Sequence, residues 1–199
     1  DINGAVVLEA NTTITSNGGN LDFDTTINSD ATARNLTIST GSGTVGIGGN
    51  IGGTTSTDLA AIKINESAGS GAITLSGDIG TTSVFGATTI EIGNADTTSL
   101  SLDGSFYSSD DAQTYKADAY ALGGTDPDFA STGDNIIFHD GGTTTAFVLG
   151  DNADLEVNTN LGATAGGNIE FKDNITIKGI QSNAAQDVVL DAGTGSVTV

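Results

Sequence analysis

Gly41-Ser42-Gly43-Thr44-Val45-Gly46-Ile47-Gly48-Gly49-Asn50-Ile51-Gly52 is echoed 28 residues later by Gly69-Ser70-Gly71-Ala72-Ile73-Thr74-Leu75-Ser76-Gly77-Asp78-Ile79-Gly80. The two stretches share glycines at Gly41/Gly69, Gly43/Gly71, Gly49/Gly77 and Gly52/Gly80. They also share alternating apolar positions and an Asn/Asp-Ile-Gly ending. An alternating run of three to five residues buries one face of a short strand. Self-similarity at a period of about 20 to 50 residues marks architectures in which one unit stacks on the next.

Working outward, short runs of the same kind recur along the chain. Examples are Thr13-Ile14-Thr15, Leu21-Asp22-Phe23, Leu36-Thr37-Ile38, Ile90-Glu91-Ile92, Leu100-Ser101-Leu102, Leu155-Glu156-Val157 and Val197-Thr198-Val199. Gly18-Gly19-Asn20-Leu21-Asp22-Phe23 recurs as Gly166-Gly167-Asn168-Ile169-Glu170-Phe171, and the stretch 34–45 resembles 186–197. Val, Ile and Thr favour strands because branching at Cβ suits a pleated surface. Gly, Asn, Asp and Ser supply the turns. Strands so short and numerous suit a sandwich, a barrel or a solenoid, and the internal repeats favour the solenoid. The expected fold is all-β, a parallel β-solenoid whose equivalent strands stack at about 4.8 Å. At roughly 20 to 25 residues a coil, eight to ten coils would form a rod about 40 Å long. Inward Ile, Val, Leu and Phe would form apolar ladders, and turn Asn and Asp hydrogen-bonded ones. Glycine suits left-handed corners, and a single proline spares the ladder donors. An Ig-like β-sandwich is the alternative, since its strands alternate in the same way.

The chain has 199 residues, 25 acidic and 5 basic, for a formal charge of -20. That balance argues against nucleic acid, whose phosphates need clustered Lys and Arg, and against anionic lipid. The absence of cysteine excludes a disulfide framework and thiolate chemistry. No apolar run approaches the roughly 18 residues of a membrane span, and no basic-then-apolar leader opens the sequence. Low Lys with abundant Gly, Thr, Asn and Asp has the character of a secreted bacterial protein.

One stretch departs from the pattern. Residues 106–129 hold Tyr107, Tyr115, Tyr120 and the sole proline, Pro127. The expectation is one solenoid segment over 1–199 with an irregular, aromatic-rich excursion at about 106–129. Its tyrosines are candidates for a contact surface, because aromatic faces stack on sugar rings. The plainer expectation is a hydrophobic plug over a coil edge.

The strings Asp111-Ala112-Gln113-Thr114-Tyr115, Gly166-Gly167-Asn168-Ile169-Glu170-Phe171 and Gln186-Asp187-Val188-Val189-Leu190-Asp191-Ala192-Gly193-Thr194-Gly195 resemble the degenerate repeats of large bacterial surface and secreted proteins of the filamentous-haemagglutinin-like type. The resemblance covers most of the chain and is to a style of repeat. It implies a right-handed β-helical shaft, exported to the cell surface, in an adhesin, a biofilm component or a fibrous stalk. The family's Asn-Pro-Asn-Leu secretion signature is not in this sequence. The stretch Asp1-Ile2-Asn3-Gly4-Ala5-Val6-Val7-Leu8 and the closing Ser196-Val197-Thr198-Val199 read as uncapped strands. Ile2, Val6, Val197 and Val199 are therefore expected at a junction between units joined head to tail, covalently or by strand addition.

Little chemistry is signposted. Asp110-Asp111, Asp126-Pro127-Asp128 and Asp151 to Asp154 lack calcium-loop spacing and read first as solvated turns. Asp126 and Asp128 are the candidates for weak calcium binding. His139 has no evident nucleophile partner, and Lys63 near Glu66 is the place to look for an isopeptide bond. No catalytic residue and no obligatory cofactor are expected. The leading expectation is an extracellular structural fibre. Behind it stand a carbohydrate-binding adhesin module at the tyrosines and a β-helical polysaccharide enzyme.

Overall fold

The computed structural model describes residues 1–53, 57–142, 145–151, 153–161, 165–179 and 186–199. Among these residues every regular element is a strand. In chain order they are β1 (Val6–Leu8), β2 (Thr12–Thr15), β3 (Leu21–Phe23), β4 (Ile27–Ser29), β5 (Asn35–Ser39), β6 (Val45–Ile47) and β7 (Leu59–Ile64). Then come β8 (Ile73–Leu75), β9 (Ala87–Gly93), β10 (Leu100–Leu102), β11 (Phe106–Ser109), β12 (Gln113–Ala117), β13 (Ala119–Leu122) and β14 (Asp128–Ser131). The last are β15 (Ile136–Asp140), β16 (Thr145–Leu149), β17 (Leu155–Asn158), β18 (Ile169–Lys172), β19 (Ile175–Gly179), β20 (Val188–Asp191) and β21 (Val197–Thr198).

Every one of these strands pairs in parallel with the equivalent strand one turn away, which makes the molecule a parallel β-solenoid and excludes the antiparallel sandwich. Three faces run along it. The first stacks β3, β6, β8, β10, β13, β16 and β19. The second begins with β1 and β4, continues through single-residue bridges at Ile51 and Ile79, and resumes with β11, β14, β17 and β20. The third stacks β2, β5, β7, β9, β12, β15, β18 and β21. The chain makes about 6 turns, fewer than the eight to ten expected. The reason is coil length: Ile51 and Ile79 are in register 28 residues apart, and Val157 and Leu190 are 33 apart.

The alternation seen in the sequence becomes the wall of the solenoid. Inward residues form columns that cross every turn. On the first face Leu21, Val45, Ile73, Leu100, Tyr120, Phe147 and Ile177 are in register. On the third face the column is Leu36, Ile62, Ile90, Gln113, Ile136 and Ile169. Apart from Phe23, the core is thus aliphatic in the early turns, and it becomes rich in aromatics in the later ones. Tyr107 stacks on Phe129 at 4.9 Å, Tyr115 on Phe138 at 5.2 Å and Phe138 on Phe171 at 5.0 Å between ring centroids. Neighbouring columns meet edge to face, as between Tyr115 and Phe129 at 5.4 Å. Such ring pairs add about 0.5–1.5 kcal/mol beyond burial.

Segment 106–129 is therefore not an irregular excursion. It contributes β11, β12, β13 and the first residues of β14, in register with the turns on both sides. Its aromatics occupy positions that Ile and Leu hold in earlier turns, so the stretch continues the core.

The corners are built from glycine and asparagine. A Cβ added at Gly77, Gly104 or Gly124 would strike the main chain of Gly49, Gly77 or Gly104 one turn away. The bends of these turns nest so closely that only hydrogen fits between them. Asparagine supplies the ladder in a form not anticipated: its carbonyl accepts from a main-chain N–H of the next turn, not from another amide. The Thr44 N–H donates to Asn20 Oδ1 at 3.0 Å, and the Asp78 N–H to Asn50 Oδ1 at 3.0 Å. The Asn168 N–H donates to Asn135 Oδ1 at 2.7 Å, and the Ser196 N–H to Asn168 Oδ1 at 3.0 Å. Corner amides that lack a strand partner are satisfied in this way.

Candidate functional site

The three tyrosines lie inside the wall and cannot offer a contact surface. Tyr107, Tyr115 and Tyr120 are 0%, 0% and 1% exposed. Burial pushes all three phenols up from their ordinary range. Each hydroxyl is bonded within the protein. The Tyr115 OH donates to Gln113 Oε1 at 2.8 Å, and the Tyr120 OH to the His139 carbonyl at 2.6 Å. Tyr107 OH accepts from the Gly104 N–H at 2.9 Å. Gln113, which the sequence did not single out, is a buried amide in an otherwise aliphatic column. Its Nε2 donates to the carbonyls of Tyr107 at 3.0 Å and Ala130 at 2.7 Å, so the amide ties the second face to the third.

The acidic corner leading into the second face holds Asp126, Asp154 and Asp187 on successive turns. The Asp154 N–H donates to Asp126 Oδ1 at 3.4 Å, and the Asp187 N–H to Asp154 Oδ1 at 2.7 Å. These carboxylates serve the backbone as the asparagines do elsewhere. Beside them, Asp128 on β14 is in register with Glu156 on β17. Its Oδ1 is buried without a hydrogen-bond partner. Burial, and secondarily the charge of Glu156, push its carboxyl up to about 6. Among the described residues no three acidic or histidine side chains are grouped to hold a metal ion.

The third face carries much of the positive charge. Lys63 pairs with Glu91 one turn on at 2.9 Å, and this contact raises the lysine's pKa. Both side chains are about a third exposed, so the pair is an ordinary surface ion pair. Lys116, His139 and Lys172 are register neighbours on β12, β15 and β18. Lys172 contacts Glu170 on its own strand at 2.6 Å, which lowers the glutamate's pKa, and His139 lies 3.4 Å from Asp173.

Both ends of the stack present open strand edges. β1, β2, β19, β20 and β21 each pair with one neighbouring strand among the described residues. Among the described residues the exposed large apolar side chains are Val7, Val188, Val189, Val197 and Val199, on the terminal turns. Ile2 and Val6 are half-buried against the core, whereas Val197 and Val199 are 44% and 75% exposed. The solenoid is what these contacts establish. No protein-family model, curated protein or solved structure matches the chain, and of the haemagglutinin-like expectation the parallel β-solenoid alone is shown.

Proposed function

We propose that the chain is a structural element, a length of the shaft of an extracellular bacterial filament or adhesin, with units joined head to tail. The observation that carries this reading is the run of inward columns to the open edges of the terminal turns, flanked by exposed valines. An open edge offers a row of unpaired N–H and C=O groups, and the strand that matches it best is another rung of the same solenoid. Leu190 heads the column that contains Val6, and Val197 heads the one that contains Thr12, so a further turn would extend both. This reading assigns the chain no catalytic role, and surface charge keeps such rods dispersed.

Negative-stain electron microscopy of material from its native source tests the proposal. Thin rods much longer than the roughly 30 Å spanned by six strand steps support it. Isolated particles of single-chain length, together with a monomer at millimolar concentration, refute head-to-tail joining.

A further inference from the structure

On the third face a hollow of about 240 Å³ opens beside Gly93, lined by Glu66, Glu91, Thr114, Lys116 and His139. Gly93 stands in register with Lys116, His139 and Lys172. Its φ is +80°, and a Cβ there would run into the Lys116 carbonyl. The column of outward side chains is therefore interrupted at Gly93, and the gap faces Lys116, with His139 and Lys172 stacked beyond it. Lys116 is half-buried, and among the described residues its ammonium has no hydrogen-bond or ion-pair partner. Glu91, across the hollow, is engaged by Lys63 at 2.9 Å. A cation without a partner in a concave, partly dry setting favours an anion from solution.

We propose that this hollow binds a carboxylate-bearing sugar within an acidic polysaccharide. Lys116 anchors the carboxylate, and Glu91 and Thr114 accept hydrogen bonds from the ring hydroxyls. The stacking argues for a chain over a single sugar. Lys116 heads a row that His139 and Lys172 continue at the strand spacing of about 4.8 Å, their side chains already in contact with Asp173 and Glu170. A hexuronate chain laid along the rod axis carries one carboxylate per ring, with Lys116 the free anchor. The overall charge of -20 does not veto this, because charges beyond about 8 Å are screened at physiological ionic strength. The inference stands apart from head-to-tail joining, since the hollow lies on the wall and not at an end.

The test is calorimetric titration of the full chain at physiological ionic strength with a short oligogalacturonate, and with a neutral galactose oligomer of the same linkage. The acidic oligomer is expected to bind saturably and the neutral one at least tenfold more weakly. Lys116→Gln should weaken the acidic oligomer about tenfold or more, as loss of a charge-assisted hydrogen bond does, with an unchanged strand spectrum by circular dichroism. Lys178→Gln removes the same charge from the exposed first face and should leave affinity unchanged. Absence of saturable binding, equal binding of the neutral oligomer, or an equal loss in both lysine variants overturns the proposal.

Discussion

Replacing Tyr115 by Phe removes one oxygen and keeps the ring. The stack on Phe138 at 5.2 Å survives, and so does the edge contact with Phe129 at 5.4 Å. What is lost is the 2.8 Å hydrogen bond that the hydroxyl donates to Gln113 Oε1. That oxygen belongs to a side chain with no solvent exposure, and the rest of its amide is engaged by the carbonyls of Tyr107 and Ala130. It cannot turn outward without breaking both. An amide acceptor stranded in an apolar core costs about 1–3 kcal/mol. Tyr115→Phe should therefore lose about that much, a penalty much larger than deletion of one oxygen from a solvated tyrosine. In a Gln113→Leu background the same substitution should cost little, since the acceptor has gone, giving a coupling of about 1–2 kcal/mol between the two sites. Solenoids unfold by turns, so a global melt can blur the effect. Native-state hydrogen exchange of the β12 amides is the better readout, with protection falling about tenfold for each 1.4 kcal/mol. Protection within a factor of two of the parent in Tyr115→Phe, at unchanged spectrum, would refute the view that Gln113 depends on this hydroxyl.

Three further outcomes follow from other parts of the wall. Gly104→Ala should destabilise severely, because its methyl meets the Gly77 main chain, whereas Gly4→Ala, with open space around it, should be tolerated; thermal melts of the two variants decide. Ile90→Ala, at a fully buried site, should cost about 2–5 kcal/mol in urea unfolding, against less than about 0.5 kcal/mol for exposed Val189→Ala, and equal losses would contradict the assigned register. Asp128 is held up to about 6, above the carboxyl's ordinary 3.8, so the fold favours its protonated form. Its contribution is complete below about pH 4 and is lost as pH rises through 6. Asp128→Asn should thus stabilise the protein above pH 7, by about 1–2 kcal/mol once solvent screening of this half-buried group is allowed for, and change little near pH 4. Denaturation midpoints across that range provide the check.

The fold was legible because the 28-residue echo coincides with the coil register: Val45 pairs with Ile73, and Ile51 with Ile79. The other echoes were not coil repeats. Gly18 to Phe23 leads into β3 on the first face, while its likeness at Gly166 to Phe171 leads into β18 on the third. A glycine–asparagine corner followed by an alternating strand serves any face, so local similarity does not report which one. The tyrosines misled for a related reason. Aromatic density reads as surface chemistry unless it is known which column a residue belongs to, although the alternation Gln113-x-Tyr115-x-Ala117 already placed Tyr115 on one side of a strand with its buried neighbours. Gln113 had no signal of its own, since its role rests on Tyr107, on the preceding strand of the same turn, and on Ala130, which the next turn supplies. The hollow at Gly93 was hidden in the same way, because Lys116 and His139 meet only through pairing across a turn.

The stacking of each turn on its neighbours alone has a mechanical consequence. Tension applied between the two ends acts along the hydrogen bonds that run parallel to the rod axis, and a terminal turn of the 1–199 stack with no turn docked beyond it is held on one side only. It should peel first and leave the remainder intact. Releasing a turn of 28 residues pays out roughly 95 Å of extended chain at about 3.4 Å per residue, some twenty times the axial length that the turn occupied. A rod built this way yields in steps, lengthening greatly under load while most of its wall stays folded.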